Sequence, residues 1–530
     1  MTHPLRHRTR AAAASIGLLT GTLVALTGTA PAHAATTRYE AETSPAVCTG
    51  VIETEWTGYS GSGYCNGTNA SGAYSQFTVS ASAAGTATVS VRFTNGTTTA
   101  RATDVVVNGT TAASASFEGT GAWTTWATKT FSVPVTAGSN TIRLNPTSAN
   151  GLANIDAVDV ETSGSGTGTP ATGALYVSPS GTDSAAGTID APTTLTSAIS
   201  KVASGGTIYL RGGTYAYSST VTVPAGSNGT SSARTLLSAY PGETPVLNFS
   251  AQSESSSNRG LQLNADYWRI YGLVVERAGD NGIYVGGSNN VIERTVTRYN
   301  RDTGLQLGRI SSSTPSSQWP SNNLILSAES HDNADSDGED ADGFAAKLTT
   351  GTGNVFRYAV SHHNIDDGWD LYTKTDTGAI GPVTIEYSLS YGNGTLSDGS
   401  QSGNGDRNGY KLGGDDIAVN HVVQHSIAYD NGHHGFTYNS NPGSMTITSN
   451  VSVGNTERNF NFDAGTSVFR SNTSCDSGAT DRYVGDADSS NQFWSGTNGS
   501  RCSSYSGALG WSYTSTGTLT VTFGGVQVTL

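Results

Sequence analysis

From residue 36 onward the chain alternates apolar and polar positions in short runs broken by Gly, Asn and Asp. Thr86 to Phe93 reads Thr-Ala-Thr-Val-Ser-Val-Arg-Phe, and Ala100 to Val107 keeps the same period of two. That period puts one face of a strand on a core and the other in water, so residues 35–161 are expected to form a β-sandwich. Residues 162–173, rich in Ser, Gly and Thr, read as a flexible linker.

Residues 174–530 carry a longer period. A Gly followed by an apolar residue recurs at Gly282-Ile283, Gly304-Leu305, Gly343-Phe344, Gly368-Trp369, Gly409-Tyr410 and Gly435-Phe436, at spacings of 22, 39, 25, 41 and 26. Three spacings are one unit; the other two are a unit plus an insertion, at Ser311–Asn322 and Asn393–Asp406. The units carry β-branched runs upstream of the Gly, among them Asn290–Val296, Asn354–Val360, Val383–Leu389 and Met445–Val451. A unit this small cannot bury its own apolar face, so the units must stack into a solenoid. Strands without a helical period make that solenoid a parallel β-helix, and the fold class all-β. Recurring Asn near the turns suits an internal ladder of stacked amides. Thr193 to Val202 is expected to form a short helix over the N-terminal end.

Composition agrees. Glycine is 66 of 530 residues, well above the usual share of about 7%. Charged residues are only 13% and Met is 2, which excludes a helical bundle or coiled coil; no three-residue Gly period exists, which excludes collagen. Residues 1–34 hold Arg6, Arg8 and Arg10, a short apolar run Ala11–Leu26 and the small-x-small signal Ala32-His33-Ala34. They read as a secretory signal peptide, so the protein is expected to be secreted and extracellular. No other segment is long and apolar enough to span a membrane. Without the leader, 24 basic residues face 41 acidic ones, a net charge of −17. That surface repels nucleic acid, and repels a polyanionic sugar unless a cation bridges it. Cys48, Cys65, Cys475 and Cys502 fall as two local pairs, so disulfides Cys48–Cys65 and Cys475–Cys502 are expected.

A solenoid turns alignment into adjacency, because equivalent positions on neighbouring coils lie about 4.8 Å apart. With the recurring Gly as zero, Asp342 and Asp367 both sit at minus one. Asp366 is at minus two, Asp370 at plus two, and Lys411 at plus two in the next coil, directly over Asp370. Four carboxylates this close cannot all stay ionised without a cation, and an all-oxygen set suits Ca²⁺. A Lys beside that cation has its ammonium form destabilised and can act as a base. Cation plus neutral Lys points to proton abstraction alpha to a uronate carboxylate, followed by loss of the 4-O-linked sugar. Lys347 and Arg407 are candidates for contact with substrate carboxylates. Asp335, Asp337, Glu339 and Asp340 are a weaker acidic group; Asn333–Gly338 imitates half an EF-hand loop, but its twelfth position is Phe344. The histidines 331, 362, 363, 433 and 434 receive no role.

The motifs Asp342-Gly-Phe-Ala-Ala-Lys347, Asp366-Asp-Gly-Trp-Asp-Leu-Tyr372 and Asn408-Gly-Tyr-Lys-Leu-Gly-Gly414 resemble those of polysaccharide lyase family 9, pectate lyases on a right-handed parallel β-helix. The resemblance spans roughly residues 174–470. It implies a catalytic calcium on Asp342, Asp366, Asp367 and Asp370, with Lys411 as base. The implied activity is β-elimination of polygalacturonate to 4,5-unsaturated oligogalacturonides. Residues 474–530 are left without a role. Tyr39-Glu-Ala-Glu42, Gly58–Tyr64 and Asn154-Ile-Asp-Ala-Val-Asp159 resemble carbohydrate-binding modules of families 6 and 35. That likeness implies a plant cell-wall polysaccharide as partner and a structural calcium on Glu40, Glu42 and Asp156. Trp123 and Trp126 are candidates to stack on sugar rings, one of them being expected in the core. A monomer is expected. The rivals are a β-helix glycoside hydrolase acting on pectin and a non-catalytic polysaccharide-binding protein.

Overall fold

The computed structural model describes residues 36–81, 85–136, 138–163, 173–514 and 517–528. The leader and most of the linker lie outside the described residues. No described helix is long and apolar enough to cross a membrane.

The period-two runs form a sandwich of two sheets. One orders the strands Gly50–Glu53, Tyr64–Gly67, Asn154–Ser163, Gly85–Thr94 and Ala127–Val135, with Thr36–Glu40 also pairing to Asn154–Ser163. The other orders Val47–Cys48, Ser75–Ala81, Gly138–Pro146, Arg101–Val107 and Thr110–Phe117. Alternate residues interdigitate between them, with Phe77, Val79, Val91, Phe93, Val105, Phe117, Ile142 and Leu144 buried. Cys48–Cys65 ties the edge strand of one sheet to the other.

After residue 173 the chain winds into a parallel β-helix. The apolar residues following the recurring glycines pair in register from coil to coil: Ile283 with Leu305, Leu305 with Phe344, Phe344 with Trp369, Trp369 with Tyr410 and Tyr410 with Phe436. The two insertions leave this register intact because they bulge out at turns. Interior aromatics stack along the axis: Trp369 lies 4.8 Å from Tyr410, and Tyr410 4.6 Å from Phe436. Each buried ring contributes roughly 1.5–3 kcal/mol through its apolar area. The turns are held by amide ladders. Asn300, Asn333, Asn364, Asn393, Asn431 and Asn455 are buried, and each Nδ2 from Asn300 to Asn431 donates to the Oδ1 of the next at 2.8–2.9 Å. The ladder satisfies polar groups that a parallel solenoid must otherwise leave unpaired inside.

The short helix, Leu195–Lys201, is capped by Thr194, whose hydroxyl accepts from Ser197 N–H. Its buried Leu195, Ala198 and Ile199 cover the first coils. Residues 474–530, unassigned from sequence, take a structural part. The antiparallel strands Leu509–Tyr513, Leu519–Phe523 and Val526–Val528 lay Leu519, Val521 and Phe523 on Leu389, Ile427 and Val451, on the outer face of the ten-stranded sheet. Cys475–Cys502 staples this cover to the solenoid.

Candidate active site

The turn before each interior aromatic builds the site. Trp369 and Tyr410 point into the aromatic stack, so the next residues, Asp370 and Lys411, face the cleft, and the ladder pairs them directly across two coils. The same register aligns Asp342 with Asp367, each preceding its glycine. Carboxylate oxygens of Asp342, Asp366 and Asp367 lie within 4.8 Å of one another, and all three residues are buried. Asp370 stands apart from that trio, on the side of the lysines. Its Oδ2 is 3.2 Å from Lys347 Nζ and 3.9 Å from Lys411 Nζ. Lys411 Nζ also lies 3.3 Å from Asp367 Oδ2.

Backbone and side-chain amides aim the carboxylates. Asp366 Oδ1 accepts from the N–H groups of Asp406 and Arg407; Asp367 Oδ1 accepts from Asn408 N–H and Nδ2 at 2.6 and 2.9 Å. Asp370 Oδ1 accepts from Tyr372 N–H at 2.9 Å, and Thr303 Oγ1 donates to Asp342 Oδ2 at 3.0 Å. Asp367 Oδ2 is buried and accepts no hydrogen bond.

Burial, and then the neighbouring acids, push the carboxyls of Asp342 and Asp367 up to about 7 even against the lysines, and raise Asp366 as well. For Lys411, burial lowers the ammonium's pKa, but Asp370, Asp367, Asp406 and Asp366 outweigh it and the net shift is upward. Four carboxylates thus face two ammonium groups in a buried nest. A buried carboxylate oxygen without a hydrogen bond, inside an all-oxygen donor set with excess negative charge, fits a hard divalent cation such as Ca²⁺.

With this geometry in view, the family likeness has a physical counterpart. Residues 175–472 match the family model described as Pel9A-like, right handed beta helix region. The chain belongs to the Pel9A-like right-handed β-helix family. Residues 40–162 match the model of carbohydrate binding module family 6. Pectate lyase L of Paenibacillus polymyxa is 57% identical over 341 residues, 64% of this chain and 76% of that relative. Pectate lyase L of Thermoclostridium stercorarium is 46% identical over 292 residues, 55% of this chain but 23% of that relative. The crystal structure of pectate lyase Pel9A superposes with a TM-score of 0.55 at 30% identity, covering 65% of this chain and 86% of that one.

Of the two candidate substrate contacts, Lys347 borders the cleft and Arg407 does not. Lys347 is buried between Asp342 (2.7 Å) and Asp370 (3.2 Å), so its charge is spent inside the nest. Arg407 lays its stem against Gly394 and Gly432 and does not line the cleft; what reaches the acids is its backbone N–H. Sequence spacing also missed Asp406, whose Oδ2 is 2.8 Å from Lys411 Nζ. Asp406 ends an insertion, where coil arithmetic has no register. Thr303, by contrast, sits at minus one in its coil and was within reach of that arithmetic. His433 and His434 approach Glu457, but all four ring nitrogens already have partners: the Asp406 carbonyl, Glu457, Arg458 N–H and Asn461. Asp335, in the weaker acidic group, uses Oδ2 to accept the N–H groups of Glu339 and Asp340.

In the sandwich, Asp156 is buried and accepts from Ser60 N–H and from the Arg92 guanidinium, while Ser60 Oγ lies 2.8 Å from Glu40. Glu42 accepts from Ser62 N–H at 2.7 Å. Glu40, Glu42 and Asp156 thus gather around Ser60 to Ser62: Ser60 Oγ also lies 3.0 Å from Asp156 Oδ2, and the carboxyls of Glu40 and Glu42 both face Gly61, while Arg92 pairs with Asp156. Neither tryptophan is core: both are half-buried, Trp123 stacked on Trp56 and Trp126 edge-on to Tyr64.

Proposed function

We propose that this polysaccharide lyase is a secreted, calcium-dependent pectate lyase that cleaves polygalacturonate by β-elimination. The observation that carries the reading is Lys411, paired in register with Asp370 and 3.3 Å from Asp367 inside the acidic nest. Asp342, Asp366, Asp367 and Asp370 would hold Ca²⁺, which when bound neutralises a uronate carboxylate and acidifies the proton on the adjacent carbon. Lys411 Nζ takes that C5 proton as general base. The electron pair left behind forms the C4=C5 bond as the C4–O4 bond breaks, and water protonates the departing O4. With the carboxylates uncompensated, Asp370, Asp367, Asp406 and Asp366 outweigh burial and favour the Lys411 ammonium; a cation that neutralises them would leave burial, which disfavours the ammonium, the direction a base requires. Backbone N–H groups fix the carboxylates, so the nest is preorganised rather than assembled on binding. The N-terminal module, matched to a carbohydrate-binding family, would hold the enzyme on plant cell-wall polysaccharide. Two formed disulfides and the leader-like residues 1–34 support export.

The test is polygalacturonate turnover followed by the ultraviolet absorbance of the unsaturated product. Absorbance should rise with calcium and vanish in chelator. Lys411→Ala should lose about 10²–10⁴-fold in rate, the usual contribution of a general base. Lys411→Arg should be no better, because a guanidinium keeps the charge but never deprotonates. New reducing ends without absorbance would mean hydrolysis instead.

A further inference from the structure

The cleft over the nest has a volume of about 690 Å³, and acids outnumber lysines in its lining. A polyuronate therefore needs cationic and aromatic contacts that are not already spent. Three lysines line the cleft: Lys347, Lys374 and Lys411. The first and last are ion-paired to buried aspartates. Lys374 is exposed and makes no ion pair within 4.0 Å of a described residue; the carboxylate that feels its charge, Asp415, already accepts from Tyr372 and Thr375. It sits on the turn that follows Tyr372, closed by N–H groups of Thr377 and Gly378 donating to the Lys374 carbonyl.

Tyr372 is held in place on this turn. Its ring lies against Gly414, where any Cβ would come within 2.2 Å of the ring atoms. Its hydroxyl donates to Asp415 Oδ1 at 2.6 Å, and Asp415 in turn accepts from Thr375 N–H at 2.8 Å. The hydroxyl is thus anchored on a carboxylate, which leaves the ring and not the proton as the useful part. Lys411 Nζ lies over the ring, 5.5 Å from its centroid, so the ring and the base border the same part of the cleft.

We propose that Tyr372 and Lys374 form a uronate subsite next to Lys411, the ring supporting a pyranose face and the Lys374 ammonium pairing with that sugar's carboxylate. The proposal rests on the polyuronate reading above and names positioning residues rather than catalytic ones. A pyranose C–H face packs on an aromatic ring much as apolar surface does, and an exposed ammonium distinguishes a carboxylate from its methyl ester.

The experiment measures calorimetric binding of trigalacturonate and its methyl ester, with calcium present, to Lys411→Ala and to double variants adding Tyr372→Leu, Tyr372→Phe or Lys374→Gln. Thermal melts establish that each variant is folded. Tyr372→Leu should weaken both ligands about tenfold, while Tyr372→Phe restores affinity to within about twofold. Lys374→Gln should weaken the free acid several-fold and leave the ester unmoved. With Lys411 intact, the loss should fall on KM more than on kcat. Equal weakening of acid and ester by Lys374→Gln, or a loss for Tyr372→Phe as large as for Tyr372→Leu, overturns the subsite. If these differences hold but the wild type makes no absorbing product, the lyase chemistry fails and the subsite stands. If elimination is present and the differences are absent, only the subsite fails.

Discussion

At the scale of single residues, the cleft is organised by what burial does to charge. Asp302, one coil before Asp342, shows this at the edge of the nest. Burial and the neighbouring Asp280 push its carboxyl up to about 7, although Lys347 opposes them. Its folded value therefore lies above its unfolded one, so the folded state binds more protons between about pH 4 and 7. Stability from this group is present below that window and lost as pH rises through it. Asp302→Asn copies the protonated form. In melts between pH 4 and 8 the variant should match the wild type at pH 4 and exceed it at pH 8, by roughly 1–2 kcal/mol. A constant difference across that range would mean the carboxyl is not perturbed. Asp406 and Tyr372 are the residues whose meaning emerged only in three dimensions. One closes an insertion and the other leaves its strand into a turn, so neither occupies a coil position that spacing can align.

At the scale of the element, the coil is the unit that makes chemistry legible. Spacings of 22–26 residues, with two insertions subtracted, predict the pairing of Asp370 with Lys411, and the ladder pairs them. Periodicity works here because the interior tolerates only one register: slipping Tyr410 by one residue would put Lys411 inside. Side-chain direction at minus two was not legible, because Arg407 adopts φ +58 and swings its stem to the neighbouring turn. The asparagine ladder fixes the register from the turn side. Asn364 Nδ2 donates to Asn393 and its Oδ1 accepts from Asn333, with every partner buried. Asn364→Ala removes both side-chain bonds of that rung, leaving Asn333 Nδ2 only Ser330 Oγ and Asn393 Oδ1 the backbone N–H of residue 364 and Ser361 Oγ, so it should cost about 1–3 kcal/mol in denaturant unfolding. Asn364 also lies two residues before Asp366, so calcium affinity should weaken with stability. A variant as stable as the wild type would show that the ladder is decoration rather than support.

At the scale of the whole molecule, the described residues form three apolar cores: one between the sheets of the sandwich, one down the solenoid axis, and one between the solenoid's outer face and the C-terminal strands. In the sequence the boundary between the modules is expected at the Ser-, Gly- and Thr-rich residues 162–173. The tail was opaque for a physical reason. Alternation over Leu519–Phe523 announces a strand but not which surface it covers, and the covered face is the outside of another sheet. Separate cores predict separable functions. Every residue of the nest, the base and the Tyr372–Lys374 turn belongs to the solenoid, so a chain of residues 173–530 should keep turnover of soluble polygalacturonate within about twofold of the full protein. The same truncation should lose retention on insoluble cell-wall material, where tethering raises the effective concentration of substrate about the cleft. Pull-down on washed wall fibre and turnover of soluble substrate read the two functions apart. A truncated chain that melts at the wild-type temperature but fails on soluble polygalacturonate would place part of the active site in the sandwich, and the division of labour between the modules would have to be redrawn.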